Sequence, residues 1–250
     1  MRCEWIIQRC SSAILGVAIC FVFASVASAQ EVSIDLGGDT SLTLRTVQLF
    51  VLITLLSLAP GLAIMVTCFP FMVTVLSILR QAVGVQQAPP NMMIVSLALF
   101  LTYFVMEPVF REAWEVGIGP LTEGTLEPEI ALPAAMEPFR EFMALRVDQD
   151  TLATLAAVAP ERAPGPDGAP PLSVLIPSFL LSEIQRGFEV GFLVFLPFLV
   201  IDLVVAAVLM SMGMMMVPPA VVALPFKLAF FVLADGWTLL AGAMVRSYGT

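Results

Sequence analysis

Two long apolar arms, Val190 to Met212 and Ala220 to Val245, are joined by an uncharged knot, Met214-Met215-Met216-Val217-Pro218-Pro219. A helix crosses a hydrocarbon layer ~30 Å thick with about 20 apolar residues, and each arm is long enough to do so. The paired prolines stop regular helix from continuing, so Val217, Pro218 and Pro219 are read as the turn of a helical hairpin. Methionine is soft and mobile, and Met210, Met212, Met214, Met215 and Met216 cluster at this turn. Such a cluster suits a place where side chains pack against several neighbours or close a hole. Ordinary core packing is the plainer reading of the same residues.

Composition narrows the class. Hydrophobic residues make up 59% of the 250 and charged residues only 12%, whereas soluble domains carry about 25% charged residues. The formal net charge is -9, and between Glu107 and Pro171 there are 12 Asp and Glu against Arg111, Arg140, Arg146 and Arg162. That balance argues against nucleic acid as a partner, since phosphate binding needs clustered cations. There is no histidine, which removes the commonest general base and zinc ligand. Of four cysteines, Cys3, Cys10 and Cys20 lie in a segment read below as removable. Cys68 then has no disulfide or metal-cluster partner and is read as a small buried apolar residue. No phosphate-cradling glycine loop or nucleophile–base pair stands out, and Asp235-Gly236 lacks the glycine pattern of an aspartyl intramembrane protease. No enzyme, catalytic residue, metal or cofactor is expected.

The first residues have the physics of a signal peptide. Arg2 and Arg9 supply a basic start, Ala13 to Ala24 a short apolar run, and Ala27-Ser28-Ala29 a small-residue cleavage site before Gln30. An uncleaved anchor helix is the alternative. Residues 30–44 then form a short acidic extracytoplasmic lead-in. Thr46 to Leu79 carries no charge and is interrupted at Pro60-Gly61 and Pro70, so a kinked or broken helix is expected there. Arg80 and the break Pro89-Pro90 separate it from Asn91 to Met106, which completes a first apolar hairpin over 45–106. Residues 107–171 form an acidic insert, expected to be mostly helical and to end in the proline- and glycine-rich loop Ala156 to Pro171. Its acidic surface is either simply solvated or docks a ring or rod component. Residues 172–250 form the second hairpin. The basic Arg80 loop faces the cytoplasm and the acidic insert faces out, an orientation that the leader gives independently.

Ionisable residues within spanning segments cost about 2.5–3.5 kcal/mol each on insertion scales, so each needs a partner or a purpose. If the methionine knot turns the chain, Asp202 and Lys227 fall on opposing arms at similar depth and form a buried pair. Asp235 is the alternative partner of Lys227, two turns further along the same arm. Glu189 is the remaining charge in the arms, and a proton relay is the competing reading of this set.

Several separated strings resemble the FliP family of type III export-gate proteins, flagellar and injectisome. They are Phe192, Pro197-Phe198-Leu199, Ile201-Asp202-Leu203, Met212-Gly213-Met214-Met215-Met216-Val217-Pro218-Pro219, Leu224-Pro225-Phe226-Lys227-Leu228 and Asp235-Gly236-Trp237. Leu79-Arg80-Gln81-Ala82 with Gly84, Ala88-Pro89-Pro90-Asn91, Leu97 to Thr102, Pro108 and Pro138 to Met143 extend the resemblance to nearly all of the chain after Thr43. The sequence departs from the family at Pro70-Phe71, where a threonine–arginine pair is common. It departs again at Gln185, where a basic residue is common, and at Glu189, which stands for a neutral polar residue.

The resemblance implies an all-α integral membrane protein of kinked helical hairpins, about four apolar helical units, assembling into a helical oligomeric pore. It implies a homo-oligomer of several copies, about five, with FliQ-like and FliR-like subunits and other export-apparatus and basal-body ring or rod proteins. Membrane lipids and unfolded flagellar subunits in transit complete the implied partners. The implied place is the bacterial inner membrane, multi-pass, within the flagellar basal body. Met214, Met215 and Met216 would be the gasket of the pore, and Glu183, Arg186 and Glu189 would make subunit contacts. An injectisome homologue is the nearer alternative, and a small ion channel or proton-coupled transporter the more distant one. The leader reading has a direct check. N-terminal sequencing of the protein from membranes is expected to begin at Gln30, and Ala29→Trp to leave the leader attached. A wild-type N-terminus at Met1 would make the segment an anchor helix.

Overall fold

The computed structural model describes residues 39–85, 89–158, 170–214 and 216–249. The cleavage site Ala29–Gln30, lead-in residues 30–38, loop residues 159–169 and Met215 lie outside them. The chain forms two compact units, Met1–Leu55 and Leu56–Thr250. Among the described residues the secondary structure is entirely helical.

In the first unit the described chain is the leading part of helix α1 (Asp39–Met65), which begins within the expected lead-in. Val47, Phe50, Ile53 and Leu55 are all exposed, so apolar side chains face outward around the helix. A helix apolar on every side belongs in a membrane or a large core. The residues from Thr46 to Met65 are long and apolar enough to cross a membrane. Pro60 sits inside α1 without ending it.

The second unit is built around α2 (Phe69–Val83) and α7 (Leu172–Ser211). The break expected at Pro60-Gly61 falls instead after Met65, and α2 restarts with Pro70 in its first turn. Proline is at ease there, because a first-turn N–H has no intrahelical acceptor to lose. Gly84 closes α2 in the left-handed conformation at φ 83°, its N–H donating to the carbonyls of Arg80 and Gln81. Phe71, Met72, Val75, Leu76, Leu79 and Ala82 are buried along one stripe of α2. Gly187 and Gly191 of α7, one turn apart, receive that helix. A Cβ on Gly187 would stand 3.0 Å from Thr74 Cβ, and one on Gly191 only 2.3 Å from Ile78 Cδ1. Small residues at this spacing let helix backbones approach closely, the main source of helix–helix attraction in an apolar solvent.

Helix α3 (Asn91–Ala113) runs past the expected end at Met106, through Pro108, with Glu107 and Arg111 paired one turn apart. It continues as a π-helical turn (Trp114–Ile118) and the short α4 (Gly119–Thr122). The acidic insert is helical, as α5 (Pro128–Arg146) and α6 (Gln149–Val158). Helix α5 packs on α3, on the π turn and on α7, while α6 packs on α7. Phe142, Met143, Val147, Leu175 and Phe179 form their shared apolar cluster.

The second hairpin is longer and more broken than its sequence suggests. Helix α7 has 40 residues, so it is about 60 Å long, and it continues through Pro177 and Pro197. The returning arm divides into α8 (Pro219–Leu233) and α9 (Gly236–Arg246), bent by 61°. Asp235 takes a left-handed conformation at the bend, φ 49°, and a Cβ on Gly236 would lie 2.2 Å from Phe231 Cε2. Among the described residues, three stretches are long and apolar enough to span a membrane, and four if the bent pair is counted as one.

Gly117 offers a test of the insert's seating. A Cβ there would lie 2.6 Å from Ala135 Cβ and 2.7 Å from the Ala131 carbonyl oxygen, both on α5. Gly117→Ala is therefore expected to push α5 away and to cost about 1–3 kcal/mol, read by thermal unfolding of the purified chain. Gly61→Ala, inside α1, where the methyl meets no neighbour within 4 Å, gains helix propensity without a clash and is the control. Equal midpoints for the two variants would overturn the close seating of α5.

Candidate functional site

The methionine turn is closed by backbone hydrogen bonds. Gly213, at φ 73°, lets its N–H reach the Met210 carbonyl (3.1 Å) while the Met214 N–H reaches that of Leu209 (3.0 Å). This glycine-centred pair of bonds satisfies the carbonyls left over at a helix end. The Val217 N–H donates to the Met214 carbonyl, and Pro219 opens α8, so residues 212–218 carry the turn. Its thioethers point away from the protomer: Met216 is 97% exposed, and Met212 and Met214 are exposed too. Behind them a wholly apolar groove of about 570 Å³ runs between α7 and α8, lined by Val204, Val208, Leu209, Met212, Met214 and Phe226. Turn and groove carry no ionisable side chain.

One helical level back, the two arms are tied together by charge. Lys227 Nζ lies 2.6 Å from Asp202 Oδ2 and donates a second hydrogen bond, 3.0 Å, to the Ala82 carbonyl. Ala82 belongs to the last turn of α2, whose carbonyls lack intrahelical partners and carry the negative end of the helix dipole. A single buried ammonium thus neutralises Asp202, caps α2 and pins α8 against both neighbours. Asp235 stands apart: it is exposed at the bend, its Oδ1 accepts from Thr238 Oγ1 at 3.2 Å, and among the described residues no ion pair joins it to Lys227.

The residues expected at subunit contacts are separated by the fold. Glu183 is wholly buried inside the protomer, with Arg146 Nε 3.6 Å and Arg186 Nη1 3.5 Å from Oε1. Its other oxygen accepts from the Tyr248 hydroxyl. Arg146 lies over the Tyr248 ring, 4.0 Å from its centroid, and Nη1 donates to the Ser247 carbonyl at 2.7 Å. Arg186 remains partly exposed, and Glu189, bonded to Gln185, is exposed. Of the three, only these two reach the surface of the chain. The parts played by Arg146 and Tyr248 escape a reading by sequence, because they meet Glu183 from distant segments with no local spacing to mark them.

Three groups outside the spans have shifted titration. Asp148 caps α6, its Oδ2 accepting from the Thr151 N–H and hydroxyl at 2.8 Å each, and these bonds hold its carboxyl below the usual range. Its own N–H donates to Ser182 Oγ, tying the insert to α7. Burial pushes the Cys68 thiol up to about 12, so it stays protonated and unreactive at neutral pH. Burial, and then the Glu183 carboxylate, raise the Tyr248 phenol well above its ordinary value, which keeps it a donor.

Comparison with known proteins is decisive at this point. The FliP family model matches residues 52–244, across the methionine turn, the Asp202–Lys227 pair and Glu183 with its two arginines. The chain belongs to the FliP family. It is 51% identical over 236 residues to the flagellar biosynthetic protein FliP of Caulobacter vibrioides, covering 94% of this chain and 89% of that one. It is 44% identical to the FliP of Agrobacterium fabrum, covering 94% and 98%, and 42% identical to that of Bacillus subtilis, covering 88% and 99%. The matches span nearly the full length of these FliP relatives.

The Lys227 tie predicts unequal mutants. Lys227→Met strands the Asp202 carboxylate and the Ala82 carbonyl and is expected to cost about 3 kcal/mol. Asp202 is partly exposed, so Asp202→Leu with Lys227→Met should recover much of that loss. Thermal unfolding of the purified proteins reads both, and strictly additive losses would show that the two side chains do not depend on each other.

Proposed function

We propose that this FliP-family protein is a core pore subunit of the flagellar type III protein export gate. Several copies, about five, assemble as a homo-oligomer with FliQ-like and FliR-like subunits in the inner membrane at the flagellar basal body. Unfolded flagellar subunits pass through it, and the acidic insert over 107–171 faces outward to ring or rod components. The observation that carries this reading is the full-length match to relatives named as flagellar biosynthetic proteins, combined with a methionine turn whose thioethers face away from their own chain.

The chemistry of the turn fits a seal. A ring of thioethers from several copies, Met214, Met215 and Met216 in each, is apolar enough to exclude water and ions. It is also pliable enough to yield to a polypeptide of changing shape. The Asp202–Lys227 tie beneath it supplies stiffness without polar chemistry in the lumen. Arg186 and Glu189 remain on the surface for contacts between copies. The flagellar names of the relatives favour this branch over the injectisome homologue.

Deleting the gene is expected to abolish swimming and to leave hook and filament subunits inside the cell, with both restored by the intact chain. Normal filaments and normal export in the deletion strain would sink the reading. A complementing chain with Met214, Met215 and Met216 all changed to Gly should keep assembly and raise ion leakage through the membrane. Tight membranes would remove the seal from it.

A further inference from the structure

Tyr248 sits in the last described turn of the chain, yet it touches three separate elements. Its hydroxyl donates to Glu183 of α7, and its ring carries the Arg146 guanidinium from the end of α5. The same ring meets Phe71 of α2 edge-on at 5.5 Å and stacks on Phe142 of α5 at 6.2 Å. The neighbouring backbone joins in, since the Ser247 carbonyl accepts from Arg146 Nη1. Arg186 adds a long hydrogen bond of 3.4 Å to the Arg146 carbonyl, so the end of α5 is gripped from both sides. The charged groups that converge here are Glu183, Arg146 and Arg186, and one acceptor must serve two cations.

We propose that residues 247–248 form a clasp that fastens the end of the acidic insert to α7, with the Tyr248 hydroxyl as its catch. Arg146 is held by the tyrosine ring, the Ser247 carbonyl and Glu183 together, and Glu183 in turn depends on the tyrosine hydroxyl for its best hydrogen bond. Opening the clasp would expose two arginines at the base of the insert and loosen the last turn of α5 on α7, where the Phe142–Phe179 contact and the Asp148–Ser182 bond remain, while leaving the α2–α7 seam closed. Tyr248 is thus a positioning residue for the insert. The inference rests on the geometry of one chain and is independent of the export reading.

The test is hydrogen–deuterium exchange on the purified full-length chain in lipid nanodiscs. Tyr248→Phe keeps the ring and removes only the catch. It is expected to speed exchange about tenfold at residues 143–148, as the loss of a hydrogen bond to a charged group would, and to leave α2 unchanged. Equal acceleration in α2 would mean that Tyr248 serves general stability, and no acceleration at 143–148 would mean that the hydroxyl holds nothing; either result overturns the clasp. Glu183→Ala removes the hydroxyl's acceptor and provides the second arm. In that background Tyr248→Phe should add no further acceleration at 143–148, and an independent, multiplying effect would also overturn the proposal.

Discussion

Close approach of two helix backbones, α2 against α7, underlies the rest of the second unit. In an apolar solvent no hydrophobic force presses helices together, so attraction depends on how near the backbones come. Gly187 and Gly191 remove the side chains that would hold α2 off, and Thr74 and Ile78 fill the space they leave. Once this seam is set, α2 presents Ala82 to Lys227 at one end and Phe71 to Tyr248 at the other. Both polar assemblies in the unit are therefore organised by an apolar one.

The polar groups follow a common rule of placement. Lys227 and Arg146 each serve several acceptors at once, an arrangement that limits the number of charges withdrawn from water. Buried hydroxyls are handled within the helix, as where Ser178 and Ser182 bond the carbonyls one turn before them at 2.7 Å. Uncharged turn residues close the chain where α7 meets α8, so that end of the hairpin has no charge to desolvate.

Much of this was legible in the residues. Uncharged runs gave the helical class, the methionine–proline knot gave the turn, and similar depth on opposing arms placed Asp202 opposite Lys227. Helix boundaries were less legible. Pro60 and Pro108 look like breaks in the string but are carried inside helices, because flanking turns can compensate for a single missing N–H. The bend at Asp235 was hidden because its cause is a contact, the Phe231 ring lying where a side chain on Gly236 would be. Glu183 is expected from the sequence at a subunit contact, since nothing local reveals that Arg146 and Tyr248 will enclose it. Periodicity reports a helix's faces, whereas a convergence of three distant segments leaves no periodic trace.

The length of α7 has a mechanical meaning. The helix is held at Glu183 and again at Asp202, two points roughly 28 Å apart along its axis. Beyond the second point it continues for roughly 13 Å to Ser211 without another charged anchor. That geometry is a cantilever. A sideways load on the methionines is concentrated at the Asp202 level, where Lys227 joins three helices, and reaches Glu183 only through a stiff, well-supported span. A deflection of the tip is therefore met first by the Lys227 tie, ahead of the base of the insert.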